Sequence, residues 1–133
     1  MPERIVAMLT GDMPEPILVI PYETWKTFEL TGGENEFLIA DFMAAWSKDF
    51  ERLFSIRREA KCKTIRYTTM IGRIGTGIIV PKEITQQFGI RMDYYFEVFL
   101  KKAVKKKKEI DIFPEREVFD HYPAGFERKL KKE

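Results

Sequence analysis

The segment that most restricts the fold of this chain lies between residues 63 and 113, where short apolar runs are separated by proline and glycine. The runs KTIRYTTMI, GIIVP and YYFEVFLKKAV have the β-branched and aromatic composition of strands, and EIDIF alternates as a return strand does. PKEITQQFG predicts a helix of one to two turns, with Ile84 and Phe88 on one face and Gly89 at its end. The predicted order is strand, strand, short helix, strand, strand.

The first sixty residues predict a β-hairpin followed by helices. Residues 5–9 and 17–20 have the composition of two strands joined by a turn rich in glycine and proline, and a short helix follows Pro21. Beyond it, apolar residues recur at intervals of three and four, which predicts an amphipathic helix over residues 34–59. Its apolar stripe, expected in the core or a subunit interface, comprises Ile39, Phe42, Met43, Trp46, Phe50, Leu53 and Phe54. We therefore expect an α+β protein.

The charge is divided unequally along the chain. The total of 23 basic and 21 acidic residues gives a net charge of +2, but residues 1–60 carry 6 − 11 = −5 and residues 61–133 carry 17 − 10 = +7. A strongly basic surface attracts polyanions through its field. We expect an acidic module over residues 1–60, a basic module over residues 61–113 and a basic tail over residues 114–133.

The residue counts disfavour catalytic and metal chemistry. A single histidine, His121, and a single cysteine, Cys62, exclude a disulfide within the chain and a thiolate zinc site. We expect no enzyme, metal or cofactor, and read His121 as an exposed loop residue. The lone cysteine fits a reducing compartment, and the longest apolar stretch is far shorter than the roughly 20 residues that span a bilayer. With no leader pattern at the N-terminus, we expect a cytoplasmic protein without membrane contact.

The sequence GIIVPKEITQQFGI followed by YYFEV resembles the AbrB-like swapped-hairpin family, which includes AbrB and SpoVT type transcription factors and MazE type antitoxins. The resemblance covers residues 63–113 and is most specific over residues 76–98. The residues that fall in register with the family pattern are Pro81, Lys82, Glu83, Ile84, Phe88, Gly89, Ile90 and Glu97. The chain departs from the pattern at Thr76 and Gly77, where the family usually has Gly-Arg or Gly-Gln, and at residues 92–94, where it has Pro-Gly-Asp.

The resemblance implies a homodimer whose hairpins interleave into one β-barrel and bind duplex DNA through basic residues around the first hairpin. The residues expected to contact DNA are Arg73, Arg66 and Lys63, followed by Lys82 and Arg91. Lys and Arg neutralise phosphates, and a bidentate Arg–guanine pair is the commonest specific contact. Strand alternation places Lys63 and Arg66 on opposite faces, and a lysine-rich hairpin tip at residues 105–108 is also a common way to keep a sheet edge soluble.

Several alternatives stay open. Residues sixty apart are alike, so the first half could be a divergent second copy of the same unit, with both halves of a barrel in one chain. The pairs are Ile5 with Ile65, Pro21 with Pro81, Glu23 with Glu83, Phe28 with Phe88, and Leu30 with Ile90. In the tail, Phe119, Tyr122 and Phe126 either pack on the protein itself or bind a partner. The protein would then be an antitoxin that masks a toxin protein with its tail or its N-terminal stripe, or a structural barrel without DNA binding.

Overall fold

A computed structural model describes residues 3–114 and 120–126, which form a curled, mostly antiparallel sheet with two short helices. The strand order across the sheet is β2-β5-β4-β3-β6-β1-β8, and β7 also pairs with β6. The protein is therefore mainly β, and the expectation of an α+β protein is corrected. In chain order the elements are β1 (Glu3–Met8), β2 (Ile17–Val19), α1 (Tyr22–Thr27), β3 (Glu36–Trp46), β4 (Arg52–Thr68), β5 (Ile74–Ile79), α2 (Lys82–Gln87), β6 (Tyr95–Lys105), β7 (Lys108–Asp111) and β8 (Asp120–His121).

The strands β3 and β6 form the centre of the sheet, and alternate residues of each face the core. Successive side chains of a strand point to opposite faces, so every second residue can be buried while its neighbours stay half-exposed. The residues buried in this way are Leu38, Ala40 and Phe42 of β3, and Phe96, Val98 and Leu100 of β6. The core thus lies on the concave side of the sheet.

The amphipathic helix predicted over residues 34–59 is wrong, because β3, a turn and the first part of β4 occupy this segment. A register shift between Phe42 and Ala44 interrupts the alternation of β3. Beyond it both faces of the strand are covered, because Ala45 belongs to the main core and Ala44 and Trp46 belong to a second apolar cluster. In the turn, the Ser47 hydroxyl accepts hydrogen bonds from two backbone N–H groups. The three-and-four spacing of apolar residues therefore arises from bulges and a turn, and imitates a helical period.

The order predicted for the second half is confirmed. The end of β4, then β5, α2, β6 and β7 follow one another as strand, strand, short helix, strand and strand. The two-residue tip between β6 and β7 is formed by Lys106 and Lys107, whose φ angles are 50° and 67°. Positive φ at both central residues is the geometry of a type I′ hairpin turn.

The predicted N-terminal strands exist, but they do not form a regular hairpin with each other. β1 pairs with β6, β2 pairs with β5, and one isolated bridge between Thr10 and Ile17 connects their ends. The outer edge of β1 pairs in parallel with β8 instead, through Arg4 with Asp120 and Ile5 with His121. β1 and β2 do not form a hairpin with each other because their backbone N–H and C=O groups pair with other strands.

The two halves of the chain repeat the same elements sixty residues apart. Each short helix follows a proline and spans six residues, Tyr22–Thr27 in the first half and Lys82–Gln87 in the second. The C-cap residue that follows each helix is a phenylalanine, Phe28 or Phe88. The next residues, Glu29 and Gly89, have φ angles of 51° and 59°. This left-handed residue terminates each helix in the same way.

The pairing between the halves follows the same repeat. Leu18 faces Ile78 in the β2–β5 ladder, and Ala40 faces Leu100 in the β3–β6 ladder. The residues of each pair are sixty apart, so each ladder crosses an approximate two-fold axis at these pairs. Equivalent positions also share the core, as shown by the buried pairs Leu18 and Ile78, Ile20 and Val80, and Leu30 and Ile90.

A second, smaller apolar cluster lies on the other side of the sheet, where the C-terminal segment packs. Phe126 is fully buried against Val6, Ala44 and Trp46, and its ring centroid lies 4.9 Å from that of Trp46. The described part of the tail therefore packs on the protein's own strands. The predicted partner-binding residue Phe119 lies outside the described residues.

Candidate nucleic-acid interface

The β4–β5 hairpin has the highest density of candidate DNA-contacting residues. Its arms pair from Thr64 with Ile78 to Thr68 with Ile74. At the tip, the Thr69 N–H donates to the Arg73 carbonyl at 2.7 Å, and the Arg73 N–H donates to the Thr69 hydroxyl at 3.0 Å. The tip therefore has a defined shape that holds the Arg73 backbone in place.

Residues 61–82, which include this hairpin, carry five basic and no acidic side chains. Arg66, Arg73 and Lys82 are exposed, whereas Lys63 is half-buried. The Lys63 ammonium group donates to the Gly33 and Thr64 carbonyls and lies 5.8 Å from the Phe37 ring centroid. Arg66 and Arg73 are thus available to a ligand, while Lys63 is already engaged.

Arg66 lies beside an aromatic residue of the first half. Its guanidinium carbon is 5.7 Å from the centroid of the Trp25 ring on α1. The two residues line a groove of about 460 Å³ together with Lys26, Glu29, Leu30, Thr31 and Lys105. Lys105 reaches across and donates to the Glu29 carbonyl at 2.7 Å. A cation can hold a phosphate, and an aromatic ring beside it can stack an unpaired base.

A second basic groove of about 400 Å³ surrounds Phe37. The Lys61 ammonium lies 4.7 Å from the Phe37 ring centroid, and Lys106, Lys107, Val104 and Asn35 complete the lining. Lys105 is the last residue of β6 and Lys106 the first residue of the turn after it, which places the two grooves at the same end of this strand. The basic residues of this region therefore come from both halves of the chain.

Arg91 is engaged elsewhere. Its Nε lies 3.2 Å from Asp93 Oδ1, and its guanidinium carbon is 5.8 Å from the Tyr94 ring centroid. Because Asp93 neutralises its charge locally, Arg91 contributes less to a phosphate-binding surface than Arg66 or Arg73. Lys82 is exposed at the first position of α2.

The hairpin tip also exposes apolar side chains. Met70 is fully exposed, Ile71 is 76% exposed and Ile74 is 56% exposed. Contiguous exposed apolar residues on a soluble surface mark an interaction site. The tip therefore combines an arginine with three apolar residues that the chain itself leaves uncovered.

His121 forms part of a buried polar cluster, so its prediction as an exposed loop residue is wrong. Its Nε2 lies 2.6 Å from Glu3 Oε1, and the Thr24 hydroxyl donates to the same carboxyl group. Burial raises the pKa of Glu3, while the contacts with Thr24 and His121 oppose that increase. This cluster fastens β8 to β1.

Sequence reasoning did not identify Trp25, Phe37, Lys61 or Lys105 as parts of this interface. The sequence places Lys105 at a lysine-rich hairpin tip, which is also a common way to keep a sheet edge soluble. Pairing between distant strands brings these residues together, so no local pattern signals them. The repeat offset would have given one indication, because it places Trp25 in the helix equivalent to α2.

No protein-family model, curated protein or solved structure matches this chain. Within residues 3–114 and 120–126, no helix is long and apolar enough to cross a membrane. In the same residues, no group of three or more His, Cys, Asp and Glu side chains could hold a metal ion. The function is therefore argued from the surface described above.

Proposed function

We propose that this protein is a DNA-binding transcriptional regulator, whose sheet contains two divergent copies of the AbrB-like swapped-hairpin unit. The observation that carries the proposal is the β4–β5 hairpin, which exposes Arg66 and Arg73 within a segment, residues 61–82, that has five basic and no acidic residues. A two-stranded ribbon of this kind fits the major groove of duplex DNA. The order of elements on both sides of Pro21 and Pro81 supports the two-copy assignment.

Binding would depend mainly on phosphate neutralisation by the exposed Arg66 and Arg73 of the hairpin. Each phosphate contact releases condensed counterions, so affinity falls as salt rises, with a slope of about 0.9 per contact on a logarithmic plot. Arg73 at the tip is the residue placed to reach a base edge. Lys61, next to Phe37, extends the basic surface along β4.

The test compares full-length variants that lose the same charge at opposite ends of β4. Arg66→Ala with Arg73→Ala removes two cations near the β4–β5 hairpin, and Lys48→Ala with Arg52→Ala removes two at the other end. Binding of a labelled duplex is titrated at several salt concentrations. We expect the hairpin variant to reduce the salt slope by about 2 and the control to leave it unchanged. Equal effects, or wild-type binding that salt does not weaken, would contradict the proposal.

A second candidate function, toxin binding by an antitoxin, is favoured by the exposed apolar tip. Among the described residues of the surfaces expected for this function, Phe42, Trp46 and Phe126 are buried in the protein itself, whereas Leu53 is 43% exposed. Met70, Ile71 and Ile74 remain open to a protein partner. We expect Met70→Ser with Ile71→Ser to abolish a stable complex with the product of an adjacent small gene, if this function holds. An unaffected complex would exclude the tip as its binding surface.

A further inference from the structure

The two repeats differ in charge where they are equivalent in position. Residues 61–82 carry 5 − 0 = +5, whereas the equivalent residues 1–22 carry 1 − 3 = −2. Each of the five predicted DNA-contacting residues has an uncharged or acidic counterpart sixty positions earlier. Lys63, Arg66, Arg73, Lys82 and Arg91 correspond to Glu3, Val6, Met13, Tyr22 and Thr31. The first repeat therefore lacks cations at the five positions where the second repeat is expected to contact phosphates.

The first repeat is also covered at positions that are open in the second. β8 pairs along the edge of β1, and Phe126 packs against Val6. Arg66, the counterpart of Val6, is exposed. β8 thus takes the place beside β1 that β5 takes beside β4 in the second repeat. The two repeats therefore present different surfaces, because β1 is flanked by β8 and the equivalent part of β4 is flanked by β5.

The strand pairings that the family resemblance assigns to two chains are made within one chain. β2 pairs with β5 and β3 pairs with β6, and each ladder joins the first repeat to the second. A second copy of the chain is therefore not needed to complete the central sheet. The reason for expecting a homodimer is removed by these pairings.

We propose that a single chain binds one asymmetric site on duplex DNA. The second repeat contacts the DNA, and the first repeat supports the second structurally. This inference rests on the proposed DNA-binding function. Symmetric homodimers recognise inverted repeats because two identical surfaces contact the duplex. Here the second repeat exposes Arg66 and Arg73, which have no cationic counterparts in the first repeat, and the acidic residues Asp12 and Glu15 of the first repeat repel phosphates. The recognised sequence therefore has no inverted repeat.

The experiment selects binding sequences for the full-length protein from a pool of duplexes with a random central region. The mass of the complex is then measured by native mass spectrometry, and the protected bases are mapped by hydroxyl-radical footprinting. We expect one chain per duplex, one continuous protected patch and no inverted repeat among the selected sequences. Two chains on an inverted repeat would overturn the inference and leave the proposed function intact.

Two matched double variants locate the contacts. Arg66→Ala with Arg73→Ala should weaken binding to the selected duplex by about tenfold or more, whereas Asp12→Ala with Glu15→Ala should change it by less than about twofold, because charges far from the bound duplex are screened. A tightening of about tenfold or more in the second variant would place phosphates beside the first repeat and overturn the inference. Absence of salt-dependent binding by the wild-type protein would overturn the proposed function, and this inference with it.

Discussion

His121 of β8 and Glu3 of β1 are joined by a contact of 2.6 Å between Nε2 and Oε1. The carboxyl group of Glu3 is almost fully buried, and it also accepts a hydrogen bond from Thr24 at the buried face of α1. Three elements that are distant in the chain therefore meet at one carboxyl group. A buried acid of this kind makes stability depend on its protonation.

The pH dependence of stability should reveal this group. The pKa of Glu3 is raised in the folded protein, mainly by burial, so its stabilising contribution is full below the unfolded pKa and is lost as pH rises through the folded pKa. The Glu3→Gln variant cannot ionise. We expect its melting temperature relative to wild type to increase as pH rises across that window.

The melting temperatures are followed by circular dichroism over a pH series, with the exposed-site variant Glu34→Gln as the control. Glu34→Gln should run parallel to wild type. A parallel profile for Glu3→Gln as well would show that folding does not raise the pKa of Glu3.

The packing of Phe126 should be a large contribution to stability. Its ring contacts Trp46 and lies 5.5 Å from Phe50 between centroids, and its side chain is fully buried. Phe126→Ala should cost about 3–5 kcal/mol, because it removes apolar contacts and leaves a cavity. Met70→Ala, which shortens a fully exposed apolar side chain, should change stability by less than about 0.5 kcal/mol. Urea unfolding of both variants measures the difference, and similar midpoints would be inconsistent with the buried position of Phe126.

The close approach of β2 and β5 leaves no room for a side chain at Gly77. A Cβ atom there would lie 2.8 Å from the Leu18 carbonyl oxygen and 2.5 Å from Ile17 Cγ2. Gly77→Ala should therefore destabilise the protein by about 1–3 kcal/mol, because the ladder between the repeats must move apart. Gly33→Ala, where a Cβ would meet only the Thr31 hydroxyl at 3.5 Å, serves as the control. Equal denaturation midpoints for the two variants would contradict this view of the ladder.

The thiol of Cys62 should be unreactive until the protein unfolds. Burial within the β3–β4 ladder raises its pKa to about 12, so almost no thiolate exists at neutral pH. We expect a thiol reagent to label Cys62 only at the rate of unfolding, and to label it at once in denaturant. Rapid labelling of the native protein would show that β3 and β4 separate locally. Cys62→Ser would confirm that labelling occurs at this residue.

The second half of the fold could be predicted because each of its elements is local. Pro81 starts α2, Gly89 ends it, and the strands on both sides are rich in β-branched and aromatic residues. β3 could not be predicted in the same way, since a register shift interrupts its alternation and both of its faces are covered at Ala44, Ala45 and Trp46. The two-residue period of β3 is apparent only when its partner strands are known.

The candidate interface could be predicted only in part. Arg66 and Arg73 belong to a hairpin that the sequence itself signals, so their exposure follows from local structure. The meeting of Arg66 with Trp25, and of Lys105 with Glu29, depends on pairing between segments far apart in the chain. The burial of Phe126 on β1 has the same origin. Composition predicts none of these contacts, because they depend on the strand order of the finished sheet.

The β2–β5 ladder, in which Leu18 faces Ile78, has a consequence for how this protein can vary. In an assembly of identical subunits, any amino-acid change appears twice and must be tolerated in both copies at once. Here the positions on either side of the axis belong to different codons, so each can change alone. Glu3 and Lys63 have opposite charges at equivalent positions, and neither constrains the other. The two halves of a fold built in this way can therefore diverge in surface charge while their paired core positions stay matched.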